Sequence, residues 1–199
     1  NNSTTSSSAR VFDINGNLIK GPLKGAIAFL DANNNNKLDA GETQVTTDAD
    51  GFYTLSSGSA TARVVAITGP GTVDMSSGAA VAQMTLSAPA GAKVITPLTT
   101  LIDGAGGTLT VEELKTSLGI TTNPLEFNPF AAGVDGDEAV AAEKAAAQIA
   151  TILSTVAAIG GGDDTAFTET IKAISEKFDG TVVDMSSSEF VSDVVAASV

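Results

Sequence analysis

Cysteine, histidine and tryptophan are all missing from this chain. Without cysteine there is no disulfide and no thiolate nucleophile, and without cysteine and histidine there is no sulfur–nitrogen zinc site. The missing histidine also removes the Ser-His-Asp triad and imidazole general-base chemistry. Positive charge is scarce, with 10 Lys and Arg against 23 Asp and Glu and a net charge of −13. The basic residues lie singly between Arg10 and Lys177, so no patch exists for phosphate, and neither nucleic acid nor an anionic membrane is an expected partner. No run approaches the roughly 18 apolar residues of a membrane span, so membrane insertion is not expected either. The start shows no leader with a basic and then an apolar stretch. A disulfide-free composition suits the cytosol and a bacterial exterior equally.

What remains for chemistry is oxygen. Carboxylate, carboxamide and carbonyl oxygens suit Ca²⁺, Mg²⁺ and Mn²⁺. The 199 residues suffice for one domain, or at most two, with a proper core.

The chain changes character near residue 95. Residues 1–9, Asn-Asn-Ser-Thr-Thr-Ser-Ser-Ser-Ala, form a polar low-complexity run that reads as a linker and suggests a module of a larger chain. Residues 10–95 carry short Val-, Ile-, Thr- and Phe-rich segments punctuated by Gly, Asn and Asp. Strands are expected at about 9–14, 25–30, 44–47, 52–55, 62–68 and 81–87, with a hairpin turn at Asn15-Gly16. Their close spacing predicts an antiparallel β-sandwich.

Residues 96–199 follow a helical period and predict a small α-helical bundle packed against the sandwich, an α+β fold overall. Thr110 and Glu113 make a capping box, and Gly119 supplies the stop. The longest helix is expected over 137–159, ended by Gly160, Gly161 and Gly162. Asp164 caps the next, with Phe167, Ile171, Ile174 and Phe178 on one face. A last helix after Ser186, Ser187 and Ser188 buries Phe190, Val194 and Val195. The apolar segment 94–102 is expected to be buried and to fuse the two halves. Gly71-Thr-Val-Asp-Met-Ser-Ser77 nearly recurs at 180–187, which reads as coincidence rather than a repeat.

The strongest chemical signal is Asp31-Ala-Asn-Asn-Asn-Asn-Lys-Leu-Asp-Ala-Gly-Glu42. Numbered as a twelve-residue calcium loop, it offers side-chain oxygen at positions 1, 3, 5, 9 and 12 (Asp31, Asn33, Asn35, Asp39, Glu42). Lys37 supplies its carbonyl at position 7. Leu38 stands at position 8, where such loops turn an apolar residue inward. Position 6 is Asn36 instead of Gly, and Asn tolerates the left-handed backbone better than other side chains. Strand-like sequence on both sides argues against a helix-loop-helix setting, so the ion would hold two strands in register.

Asp48-Ala-Asp50-Gly51 reads either as an Asx-turn or as further ligands, Asp48 and Asp50, to this or a neighbouring ion. Asp13, Asn15 and Gly16 share that ambiguity and lean toward a turn. Asp135, Asp137, Glu138 and Asp164 read as helix N-terminal charge and caps.

The stretch from Gly25 to Glu42 and the following Thr46-Thr-Asp-Ala-Asp-Gly-Phe-Tyr-Thr-Leu55 resemble the serine-aspartate-repeat B-type calcium-binding β-sandwich modules of bacterial surface proteins. The resemblance covers about 11–55 and departs at Asn36. Beyond it, Ile95-Thr-Pro-Leu-Thr-Thr-Leu-Ile102 and the helical tail are similar to a region of large RTX-type bacterial adhesins. That second resemblance implies a calcium-dependent peptide-binding domain that captures the C-termini of proteins on a host or target-cell surface.

Three functions follow for comparison. The first is a Ca²⁺-dependent ligand-binding module of a secreted or cell-surface adhesin, monomeric within its parent chain. Its ligand contacts are unassigned, with segment 96–103 and the acidic turns as candidate surroundings. The second is a calcium-stiffened spacer in a surface fibre, against which the helical half counts. The third is a two-carboxylate glycosidase, but a sugar cleft leans on aromatic platforms and Tyr53 is the single Tyr beside no Trp. The expected protein is therefore not an enzyme.

Overall fold

Strand β1 (Phe12–Leu18) runs straight through Asn15-Gly16, where a hairpin turn was expected. The register explains the difference. β1 pairs antiparallel with β5 (Phe52–Ser57), placing Gly16 opposite Tyr53. A methyl on Gly16 would come within 2.8 Å of Tyr53 Cζ and 2.9 Å of the Lys93 carbonyl. The glycine therefore makes room for a ring inside a strand and does not turn the chain. β1 also takes β9 (Val94–Ile95) on its other edge in parallel, with Asn17 opposite Val94 and Leu18 opposite Ile95.

The structure, a computed structural model, describes residues 10–159 and 164–197, the side chains of 156–166 excepted. The opening linker, the Gly160–Gly162 stop and the side chains of Val156, Ile159 and Asp164 lie outside the described residues. Among those described, the other strands are β2 (Leu23–Lys24), β3 (Ile27–Leu30), β4 (Gln44–Thr46), β6 (Val64–Ile67), β7 (Val73–Asp74) and β8 (Thr85–Ala88). They form an antiparallel sheet in the order β4-β3-β6-β8 and a β2-β7 pair, beside the mixed sheet β5-β1-β9. One apolar core is shared by the larger sheets. Leu18, Tyr53, Leu55 and Ile95 come from one; Ala28, Val64, Ala66 and Leu86 come from the other.

Five helices follow among the described residues: α1 (Pro97–Gly104), α2 (Val111–Leu118), α3 (Gly136–Ile159), α4 (Asp164–Glu176) and α5 (Ser188–Ala197). The chain is a mixed α+β protein. α1 opens on Thr96, whose hydroxyl accepts from the N–H of Leu98 and Thr99, with Pro97 at the first helical position. α2 has the expected box, and Gly119 ends it in the left-handed region at φ 65°. Asp135 caps α3 by accepting from the N–H of Asp137 at 3.0 Å and of Glu138 at 3.2 Å. Ser187 caps α5 through the Phe190 N–H.

Ile149, Ile152, Leu153, Ile171, Ile174, Phe178, Phe190 and Val194 build a second core that also takes Leu98 and Leu101 of α1. Val195 stays half-buried. α1 packs on β8 and β9 and also on α3 and α4. Gly104 helps, because Ile171 of α4 lies against its bare backbone and would meet a Cβ at 2.7 Å. No described helix is long and apolar enough to cross a membrane.

Candidate metal centre

Loop 31–42 leaves the sheet at the end of β3 and returns to it at β4, so its two ends are anchored on neighbouring strands. Asp31 is buried at 3 % exposure, and its carboxylate organises the turn. Oδ1 accepts the Asn35 N–H at 3.2 Å and Oδ2 the Asn36 N–H at 2.9 Å. Wrapping the chain so tightly requires left-handed backbone at Asn34 (φ 58°) and Asn36 (φ 60°). Asparagine is the side-chain-bearing residue best suited to that region, so the glycine missing from position 6 does not break the loop.

The side chains at positions 3, 5 and 9 meet. Asn33 Nδ2 and Asn35 Nδ2 both lie 2.7 Å from Asp39 Oδ2. These bonds, Asn33 first, hold the Asp39 carboxyl below its ordinary value. Glu42 spans the mouth, Oε1 accepting from Ala32 N–H at 2.9 Å and Oε2 from Asp39 N–H at 3.0 Å. Asn35 Oδ1 accepts from the Lys37 N–H at 2.8 Å. Leu38 is half-buried and stands apart from the core, contrary to the inward position expected for it.

Asp48 and Asp50 occupy a separate turn between β4 and β5. Asp48 Oδ1 accepts from the N–H of Asp50 and of Phe52, each at 2.9 Å, and Gly51 holds φ 69°. Asp48 thus serves the turn. Asp13 touches Ser56 Oγ at 3.4 Å across β1 and β5.

Arg63 was not foreseen. It precedes β6 and reaches Asp31 Oδ2 with one terminal nitrogen, while the other lies 2.6 Å from Asn36 Oδ1 and 2.6 Å from Asp103 Oδ2. Its Nε adds a 3.0 Å bond to the same Asp103 oxygen, which also accepts Ser87 Oγ at 2.6 Å. A lone arginine in sequence gives no sign of partners so far along the chain. The outcome is a polar chain from loop 31–42 through Arg63 to the last turn of α1.

The donors fit a hard cation in kind. Asp31, Asn33, Asn35, Asp39 and Glu42 would hold it by side chain and Lys37 by carbonyl. Turning the Asn33 and Asn35 amides about χ2 would exchange their nitrogens for oxygens beside Asp39, giving up the bonds that their oxygens now accept from the Asn35 and Lys37 N–H groups. Among the described residues no three carboxylates share one point, so the amide and carbonyl oxygens are needed. No family model matches the chain, and neither does a curated protein or a solved structure.

Proposed function

We propose that the chain is a non-catalytic, Ca²⁺-dependent ligand-binding module of a secreted or cell-surface bacterial adhesin. In this reading the two larger sheets form a calcium-braced sandwich with the helical bundle packed on it. The observation that carries the reading is the meeting of Asn33, Asn35 and Asp39 within 2.7 Å contacts, in a loop whose Asp31 is buried and fixed by two backbone N–H groups. An exterior setting supplies millimolar calcium, so even a modest site is filled, and binding stabilises the fold by linkage.

The ligand of this reading is the C-terminus of a peptide or protein on a target surface, as the resemblance to RTX-type adhesins implies. A cation can compensate the repulsion between a carboxylate and a protein carrying −13 charges. Calcium bound in the loop would act on the rest of the molecule through Arg63 and Asp103.

Two measurements test this. Melting in calcium and in excess EGTA should differ by several degrees, with Asp31→Ala and Glu42→Ala abolishing the difference. An unchanged melt removes calcium from the account. Peptides with free and amidated C-termini, arrayed in calcium and in EGTA, should show capture only of the free ends and only with calcium. A calcium-stabilised protein that captures none is the spacer of a surface fibre instead.

A further inference from the structure

The N-terminal end of α1, opposite Asp103, opens on a cleft of about 210 Å³. Its walls are the turn at 19–21, segment 122–130 and α3. Pro124, Phe127, Pro129, Phe130 and Leu98 make much of it apolar. Phe130, which lines it, remains 39 % exposed. A concavity lined largely by apolar side chains, with an aromatic ring left open to solvent, marks a place where something binds.

Two opposite charges line the same space. Lys20 and Glu143 are both half-buried, and among the described residues neither side chain has an ion-pair or hydrogen-bond partner. They do not pair with each other. Asp74, the third charged group, is already served by Ser76 Oγ at 2.6 Å and Ser76 N–H at 2.9 Å. Gly21 allows this close approach, since a Cβ there would overlap the Asp74 carboxylate and lie 2.6 Å from Ser76 Oγ.

We propose that this cleft binds a free α-amino acid with an aromatic or branched aliphatic side chain. Lys20 takes the carboxylate, Glu143 takes the ammonium, and the side chain lies among Phe127, Phe130 and the two prolines. An unpaired cation and anion lining one cleft complement a zwitterion. An apolar anion would leave Glu143 unanswered, and an apolar cation would leave Lys20 unanswered. The volume is below the roughly 300–1,000 Å³ of clefts that take drug-sized ligands, which suits a single residue better than a peptide. The proposal does not depend on calcium in loop 31–42.

Calorimetric titration of the full chain with L-phenylalanine and L-leucine tests it, in calcium and again in EGTA. N-acetyl-L-phenylalanine lacks the ammonium and L-phenylalaninamide lacks the carboxylate, so each should bind at least about tenfold more weakly than L-phenylalanine. Glu143→Gln and Lys20→Ala should each cost about tenfold, and Lys20→Ala should erase the preference for the acid over the amide. A folded protein giving a flat titration to ~5 mM of both amino acids overturns the proposal. So does N-acetyl-L-phenylalanine binding as tightly as L-phenylalanine, which would make the cleft a receptor for peptide C-termini. A melt unaffected by EGTA would count against the calcium reading alone.

Discussion

Arg63 holds Asp103 with two nitrogens on one carboxylate oxygen, Nε at 3.0 Å and a terminal nitrogen at 2.6 Å, across 40 positions of sequence. The side chains are 18 % and 11 % exposed, so water screens the pair only in part. Removing Arg63 strands Asp103 beside Ser87 and also the buried Asp31 carboxylate. Arg63→Ala should therefore cost about 3 kcal/mol or more, well above a surface pair. Urea denaturation measures this, and a loss below about 0.5 kcal/mol would mean that other groups or solvent already serve both Asp31 and Asp103.

Gly16 faces the Tyr53 ring in the β1–β5 register. Gly16→Ala should destabilise by about 1–3 kcal/mol through overpacking. The same change in a Tyr53→Ala background should cost much less, because the clashing ring is gone. Equal costs in both backgrounds would place the strain at the Lys93 carbonyl instead.

Ser117 is fully buried in α2, and its hydroxyl finds no hydrogen-bond partner among the described residues. Ser117→Ala removes an unsatisfied polar atom and improves helix propensity. It should stabilise by about 1 kcal/mol, raising Tm by roughly 2–4 °C. A lowered Tm would show that the hydroxyl contributes through packing.

Several carboxyls lie below their ordinary values because hydroxyl and backbone N–H groups bond their charged forms. Thr110 does this for Glu113, Thr181 for Asp179 and Ser186 for Asp184. A depressed folded value gives stability that is present above the ordinary carboxylate range and lost as pH falls through the folded value. Urea midpoints should therefore hold from neutrality to about pH 5 and fall below about pH 4. The comparison belongs in ~1 M salt, where the relief of net negative repulsion is screened. Glu113→Gln should flatten part of the acid limb, and a midpoint rising between pH 5 and pH 3 would contradict this assignment. Lys177, raised first by its hydrogen bond to Asp193, works in the opposite sense: its contribution is lost as pH rises beyond the ordinary lysine value.

Signals confined to one turn were legible in the sequence. The left-handed backbone at Asn36, the Thr110–Glu113 box with Gly119, the Asp135 cap and the apolar face of α4 each depend on neighbours a few positions apart. Thr96-Pro97 was an equally local cap signal, and it marks α1 inside what read only as a buried segment. The near-recurrence of Asp-Met-Ser-Ser also has a local cause. Asp74 and Asp184 each accept both the hydroxyl and the N–H of the serine two places on. The same words make the same small turn while Met75 is exposed and Met185 is buried.

Features assembled from distant segments were not legible. Asn15-Gly16 has turn chemistry, yet Tyr53 claims the space and keeps the strand straight. β2, β7 and β9 have two residues each, too few for a period. Arg63 is a single charge whose three partners lie at 31, 36 and 103. Lys20 and Glu143 line one cleft from segments far apart in the chain.

The parallel pairing of β1 with β9 has a consequence for the order of folding. The first strand's second edge stays open until residues 94 and 95 have been made, some 75 positions after it. Closing so long a loop is slow and gains nothing until it is complete. Val94 and Ile95 lead directly into Thr96 and α1, so the event that closes the sheet also seats the first helix. A fragment ending near residue 90 would expose β1 as an unprotected edge, open to pairing with another chain and to aggregation.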